Sequence, residues 1–183
     1  MKISKVIPLA EELVCDTRGT PIVMFHGTPS IFDEFCGDYI HSVGFHFGDR
    51  EQAEYRVRGL SPRRIVRVYL RRLRGFIDIR GTGDPGWENP AATALALVPK
   101  RVLTVHEQHR LGLPNDMRSA LRKTYSSVER RRLNLSIAEL IKAKGFDGVT
   151  YDNQNEPKDG KTRDAYCVFN PAQIVILDYE TFP

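Results

Sequence analysis

Cysteine is scarce in this sequence, which has three in 183 residues: Cys15, Cys36 and Cys167. An odd number of cysteines, without the close spacing of zinc ligands, argues against a disulfide framework and against a structural metal site. We therefore predict reduced thiols and a cytoplasmic protein.

Long apolar runs are also missing. No stretch reaches the length of a membrane-spanning helix, and Glu11 and Glu12 interrupt the N-terminal segment before it resembles a signal peptide. Internal repeats and low-complexity tracts are lacking as well. With 41% hydrophobic and 27% charged residues, the composition is typical of a globular protein. We expect one domain spanning residues 1–183, monomeric and without a membrane segment.

Two familiar kinds of site are incomplete. The glycine-rich stretch 81–86, GTGDPG, neither follows an apolar strand nor leads into Lys-Ser/Thr, as a P-loop requires. His106 and His109 have the spacing of a metal pair on a helix, but no third ligand is nearby. We expect neither site, and no bound metal.

The order of predicted elements is mixed. Apolar and aromatic runs indicate strands at 21–26, 42–49, 64–73, 147–153 and 165–179. Helical patterns cover 8–14, the segment after Asp49 and most of 90–144; Asp49 is a predicted N-cap, and a later helix is predicted to begin at Ser136 and end at Gly145. Strands near both ends with helices between them predict an α+β domain.

Positive charge is concentrated rather than abundant. The net charge is +4, and arginines cluster within 63–80 and at 130–132. Such clusters favour either a surface for nucleic acid or a pyrophosphate, or a solvated strand face. Both interpretations stay open.

The first strand ends in an unusual way, on His26-Gly27-Thr28. A histidine at the end of a rigid strand can face a cleft, and a glycine permits close approach of the backbone to a ligand. Alone, this pattern is equally compatible with a core histidine followed by a turn.

Four segments together resemble the ADP-ribosyltransferase superfamily: FHGT (25–28), GFHFGDREQAEY (44–55), GFDGVTYDNQNE (145–156) and AYCVFNPAQI (165–174). The resemblance is to the His-Tyr-Glu branch, which includes diphtheria-type toxins and poly(ADP-ribose) polymerases, and in particular to small domains of phage and mobile-element polyvalent proteins. It does not extend to residues 82–135. It implies a split β-sheet core with a helical insertion at about 90–144.

The resemblance also implies a reaction. NAD is the substrate, nicotinamide leaves, and ADP-ribose passes to a protein or nucleic-acid acceptor. In the family, the histidine corresponding to His26 binds a ribose hydroxyl, and the backbone of the next residue, here Gly27, holds the nicotinamide carboxamide. Thr28 adds a hydroxyl at the same place.

An aromatic wall for nicotinamide is expected in the second segment. The family pattern places His46 or Phe47 on the strand and Tyr55, on the next helix, as the stacking residue. His46 stands where the polymerases have tyrosine, so His46 and Tyr55 remain alternatives for the middle member of the triad.

The catalytic acid has competing assignments. The pattern Y.N..E assigns Glu156, whereas alignment with the strand of the polymerases places Ala165 at the glutamate and leaves Asp164 nearby. Asp152 and Asp159 are further candidates. A carboxylate would oppose the positive charge that develops on the ribose as the nicotinamide bond breaks.

Other functions remain compatible with these motifs. A domain without a functional acid would be an NAD-binding or partner-blocking module, and NAD-dependent RNA 2′-phosphotransferases share the histidine-glycine start. The polar loop 155–164 is expected to be mobile and to contact the acceptor, for which Lys158, Lys161 and Arg163 offer positive charge.

Overall fold

The computed structural model describes residues 12–37, 42–82, 86–157 and 159–182. Its strands are β1 (Met24–Thr28), β2 (Phe45–Phe47), β3 (Arg63–Leu70), β4 (Phe76–Asp78), β5 (Gly148–Asn153), β6 (Arg163–Val168) and β7 (Ile174–Phe182). Its α-helices are α1 (Arg50–Arg56), α2 (Pro90–Leu97), α3 (Val105–Arg110), α4 (Met117–Arg122) and α5 (Ser127–Ala143). The helix predicted at 8–14 lies largely outside the described residues. The α+β class is confirmed.

The strands form two sheets. One has the order β1-β3-β7 and is antiparallel. The other has the order β2-β6-β5-β4, in which only β4 and β5 run parallel. The sheets approach each other where Phe25 and Gly48 exchange backbone hydrogen bonds of 2.9 and 3.1 Å. This contact brings the start of β1 beside the end of β2.

Helices α2 to α5 lie between β4 and β5 in the chain. The apolar residues of α5 recur every four positions, at Leu133, Ile137 and Ile141, and all three are buried. They belong to a core cluster that also contains Val149 of β5 and Trp87. The helical segment therefore packs on the second sheet through a shared core.

The start of α5 corrects one prediction. The N-cap is Ser126, whose side chain accepts the N–H of Glu129 in a capping box, and the helix runs on through Ser136. Inside the helix, the Ser136 hydroxyl donates to the carbonyl of Arg132 at 3.0 Å. Both serines have a glutamate three residues later, so the local pattern alone could not choose between them. The predicted end is confirmed, with Gly145 at φ +89° directly after the helix.

The predicted cap of α1 is also confirmed. The Asp49 side chain accepts the N–H of Gln52 at 2.8 Å, and Gln52 Oε1 accepts the N–H of Asp49 at 2.7 Å. This reciprocal pair fixes the start of α1 next to β1. In the described ranges, none of the helices is long and apolar enough to cross a membrane.

Candidate active site

A cavity of about 520 Å³ lies where the two sheets meet. β1, β2, α1, β5 and β6 contribute to its wall, together with the loops that precede α2 and follow β5. Five of the residues predicted from the sequence line it: His26, Gly27, His46, Phe47 and Glu156. The structure thus brings together segments more than 100 residues apart in the chain.

The protonation state of His26 follows from its partner. Its Nδ1 lies 2.8 Å from the carbonyl oxygen of His46, and a carbonyl can only accept, so Nδ1 carries the hydrogen. Burial lowers the pKa of His26, the backbone bond opposes this, and the charge of Arg56 adds to the lowering. The ring is therefore neutral at pH 7, and its Nε2 is a hydrogen-bond acceptor.

Gly27 offers backbone groups to the cavity. Successive residues of a strand point their N–H and C=O to opposite edges, so Gly27 uses the same edge as Phe25, the edge that meets Gly48. A Cβ at Gly27 would lie 2.2 Å from the carbonyl oxygen of Ala53 on α1. The missing side chain thus lets α1 pack on β1, which differs from the ligand-approach reason inferred from the sequence.

His46 sits at the centre of a polar network. Its Nε2 lies 2.6 Å from the Ser42 hydroxyl, and its Nδ1 lies 3.1 Å from the Tyr151 hydroxyl. Burial is the main cause that lowers the pKa of His46 to about 3, and the positive charges of a protonated His26 and of Arg56 act in the same direction. The ring is neutral at pH 7. The next residue, Phe47, is buried in the core and packs beside the His26 ring, with 5.5 Å between centroids.

Glu156 is positioned by Asn153, which explains the spacing of the two residues. The buried Asn153 accepts the backbone N–H groups of Asn155 and Glu156 through Oδ1, at 3.0 and 3.1 Å. This turn directs the Glu156 side chain to the cavity. There, Glu156 Oε1 accepts from Arg56 Nη1 at 3.0 Å.

The other candidate carboxylates have different surroundings. Asp164 is exposed and pairs with Arg80 at 2.9 Å. Its neighbour Ala165 lines the cavity, and side chains alternate along β6, so Asp164 points to the opposite face of the sheet. Asp152 accepts the N–H of Gly81 at 2.6 Å, and Asp159 pairs with Arg163 at 2.8 Å. Of the candidates considered, Glu156 is the one in the cavity.

Thr28 and Tyr55 do not line the large cavity. The Thr28 hydroxyl accepts the N–H of Ser30 at 3.1 Å, in the turn after β1. Tyr55 lines a second cavity, of about 430 Å³, together with Phe182 and Pro157. Ala53 and Arg56 share the face of α1 that meets the large cavity, whereas Tyr55 lies on the neighbouring face.

The cavity residues that were not predicted from the sequence include Arg56, Gln52 and Trp87. Within the described part of the chain, Gln52 Nε2 and Trp87 Nε1 are buried donors without a hydrogen-bond partner. Because such donors cost stability, their position in a cavity wall suits a ligand with acceptor groups. The chain has a single tryptophan, which is the signal that could have drawn attention to Trp87.

The loop cations predicted to meet an acceptor are distributed differently. Arg163 is nearly buried and pairs with Asp49, Glu51 and Asp159, which ties the loop to the start of α1. Lys161 is exposed, and Lys158 lies outside the described residues. Across the described ranges, His, Cys, Asp and Glu form no group of three that could hold a metal ion.

A family model described as ADP-ribosyltransferase in polyvalent proteins matches residues 16–181. The chain belongs to this family. The resemblance seen in the four motifs is thereby confirmed, and the match includes the helical region that the motifs did not reach. Comparison with curated proteins and with solved structures finds no match. Membership indicates a transferase of the ADP-ribosyl type, a family whose substrate is NAD, in the context of phage or mobile elements.

Proposed function

We propose that this ADP-ribosyltransferase domain transfers single ADP-ribose units from NAD to a macromolecular acceptor and releases nicotinamide. One observation carries the proposal: the acceptor nitrogen of neutral His26, the open backbone edge of Gly27 and the Glu156 carboxylate belong to residues lining one cavity. These are the three kinds of group that the reaction needs, from three separate segments of the chain.

Each group has a chemical role in the proposal. His26 Nε2 accepts a hydrogen bond from a ribose hydroxyl of NAD. The N–H and C=O of Gly27 pair with the nicotinamide carboxamide, which has both a donor and an acceptor. As the nicotinamide bond breaks, positive charge develops on the ribose, and Glu156 stabilises it while accepting from the 2″-hydroxyl.

In this proposal the two sheets are the halves of a split core, and NAD binds where they meet. Helices α2 to α5 form an insertion within a single domain that covers residues 1–183. NAD acts as a substrate rather than a resident cofactor, and no step uses a metal. Trp87 and His46 supply the aromatic wall at the side of the cavity, with ring centroids 5.3 Å apart.

The test is incubation with NAD labelled in its adenosine half, with and without a cell lysate. We expect free nicotinamide, and labelled protein or nucleic acid carrying single ADP-ribose units by mass spectrometry. NAD binding without nicotinamide release would indicate a catalytically inactive binding module. Consumption of NAD only when 2′-phosphorylated RNA is added would indicate a phosphotransferase, and either result would overturn the proposal.

A further inference from the structure

Arg56 is the last residue of α1 and the only lysine or arginine among the described residues that line the large cavity. Its side chain is 58% exposed. Nη1 contacts Glu156 Oε1 at 3.0 Å, and Nη2 contacts Glu88 Oε1 at 3.4 Å. Both carboxylates also line the cavity, so one guanidinium neutralises part of the charge of two acids.

The charge in this wall is unfavourable for NAD unless Arg56 takes part. Since His26 and His46 are neutral, the charged groups described there are one arginine and two glutamates. The diphosphate of NAD carries two negative charges, which the glutamates would repel at close range. A guanidinium offers paired N–H groups that match phosphate oxygens, and it is the residue type best suited to this contact.

The arginine-rich strand does not offer this contact. The arginines of residues 63–80 do not line the large cavity. Three of them have other partners: Arg64 stacks on Tyr179, Arg67 pairs with Asp178, and Arg80 pairs with Asp78 and Asp164. Arg56 comes from a separate element. Its contact with Glu88 is long, at 3.4 Å, and exposed, whereas its contact with Glu156 is half-buried. A diphosphate with two negative charges can replace both carboxylates as the partner of the guanidinium.

We propose that Arg56 binds the diphosphate of NAD and that, without substrate, the same guanidinium holds Glu156. On binding, Arg56 moves from the carboxylates to the phosphates, and Glu156 becomes free to accept from the ribose. This inference rests on the proposed function, because that function supplies the diphosphate ligand. Arg56 is thus both a binding residue and a control on the catalytic acid.

The test compares Arg56→Gln with Arg58→Gln, which removes an exposed positive charge two residues away, outside the large cavity. Binding of ADP-ribose, measured by calorimetry, needs no turnover. We expect Arg56→Gln to weaken ADP-ribose binding at least tenfold and to reduce its salt dependence, with nicotinamide binding unchanged. Arg58→Gln should leave both the affinity for ADP-ribose and its salt dependence unchanged. Arg56→Lys keeps the positive charge but lacks the paired N–H groups, so its affinity for ADP-ribose should lie between those of the wild type and Arg56→Gln.

Glu156→Gln separates the two parts of the inference. If the carboxylate competes with phosphate for Arg56, this variant should bind ADP-ribose at least as tightly as the wild type. If it weakens binding as much as Arg56→Gln does, the arginine acts through Glu156 and the inference fails. Unchanged affinity of Arg56→Gln for ADP-ribose would also overturn the inference about Arg56. In that case, nicotinamide release by the wild type would still support the proposed function. A wild type that neither releases nicotinamide nor binds ADP-ribose overturns both.

Discussion

The His26 ring donates from Nδ1 to the main-chain carbonyl of His46 at 2.8 Å, and this bond joins β1 of one sheet to β2 of the other. It also determines the tautomer, because Nδ1 carries the hydrogen that it donates to this carbonyl and Nε2 is therefore an acceptor. The same contact therefore holds the cavity together and prepares His26 for a hydroxyl ligand.

Two substitutions separate those roles. Asn at position 26 can place an N–H near the position of Nδ1, whereas Ala removes both ring nitrogens. We expect His26→Ala and His26→Asn to lower kcat/KM for NAD by about 10- to 100-fold, since a lost buried hydrogen bond costs roughly 1–3 kcal/mol. His26→Asn should keep more of the thermal stability. Nicotinamide release and melting temperature are measured together, and unchanged kcat/KM in both variants would remove His26 from the site.

Glu156→Gln tests the catalytic acid. Gln keeps the shape and one acceptor but not the charge that opposes the oxocarbenium-like ribose. We expect kcat for nicotinamide release to fall by about 10²- to 10³-fold while NAD binding is not weakened, because the charge matters only in the transition state.

Asp164→Asn is the matched control for Glu156→Gln. Asp164 forms an exposed pair with Arg80 on the opposite face of β6, and such pairs contribute roughly 0–1 kcal/mol to stability. We expect kcat to stay within about twofold of the wild type. If Asp164→Asn is the inactive variant instead, the acid belongs to β6.

Much of the third motif, residues 145–156, stabilises the fold rather than forming the site. This limits what the motif could reveal about the roles of individual residues. The Asp147 carboxylate accepts the backbone N–H groups of Leu73, Arg74 and Gly75. A Cβ at Gly148 would collide with the Phe76 ring. These residues make the motif recognisable without taking part in chemistry. The sequence therefore predicted the family and several elements better than individual roles.

Contacts between distant segments were beyond sequence reasoning. Arg56 and Glu156 are 100 residues apart, and nothing local relates them. Tyr55 illustrates another limit, because a helix turns by about 100° per residue. The position of a residue on α1 does not reveal which face of the helix meets the cavity. The packing of Ala53 on Gly27 determines that face, and Tyr55 consequently points toward the second cavity.

The aromatic wall can be tested with Trp87→Phe and Tyr55→Ala. Trp87→Phe keeps a ring but removes the buried Nε1 donor, which has no partner among the described residues. If NAD accepts from that donor, KM should rise roughly five- to tenfold, for a bond worth about 1 kcal/mol. Tyr55→Ala should leave KM unchanged. Weaker NAD binding in Tyr55→Ala than in Trp87→Phe would mean that NAD reaches the second cavity.

Asn153 is expected to act as a positioning residue for Glu156. Asn153→Ala removes the acceptor of two backbone N–H groups and should lower kcat about tenfold, because misplaced catalytic groups lose rate steeply. Asn153→Asp restores that acceptor but replaces the Nδ2 donor, 3.5 Å from Glu156 Oε2, with a carboxylate oxygen. It should therefore recover only part of kcat, with KM nearly constant in both variants. If Asn153→Ala keeps the wild-type kcat, the turn does not direct the acid.

The stability of the domain should depend on pH through its buried histidines. Burial lowers the pKa of His26, and it lowers the pKa of His46 to about 3, from the ordinary value of 6.5. Below about pH 6.5 these histidines are protonated in the unfolded chain but stay neutral in the folded chain. The free energy of unfolding must therefore fall as the pH is lowered. For His46 alone the expected loss between pH 7 and pH 5 is about 2 kcal/mol. Urea unfolding at both pH values measures it.

His46→Gln should flatten this dependence by about the same amount, whereas His106→Gln, at an exposed position on α3, should not. The carboxylates Asp78 and Glu107, with pKa values lowered to about 2 by Arg80 and Lys144 respectively, stay ionised in the folded state throughout this range. Their ordinary values of 3.8 and 4.5 keep them largely ionised when unfolded as well, so they contribute little above pH 5. A wild-type protein equally stable at pH 7 and pH 5 would show that His46 takes up protons while folded, and the neutral His26–His46 arrangement would have to be abandoned.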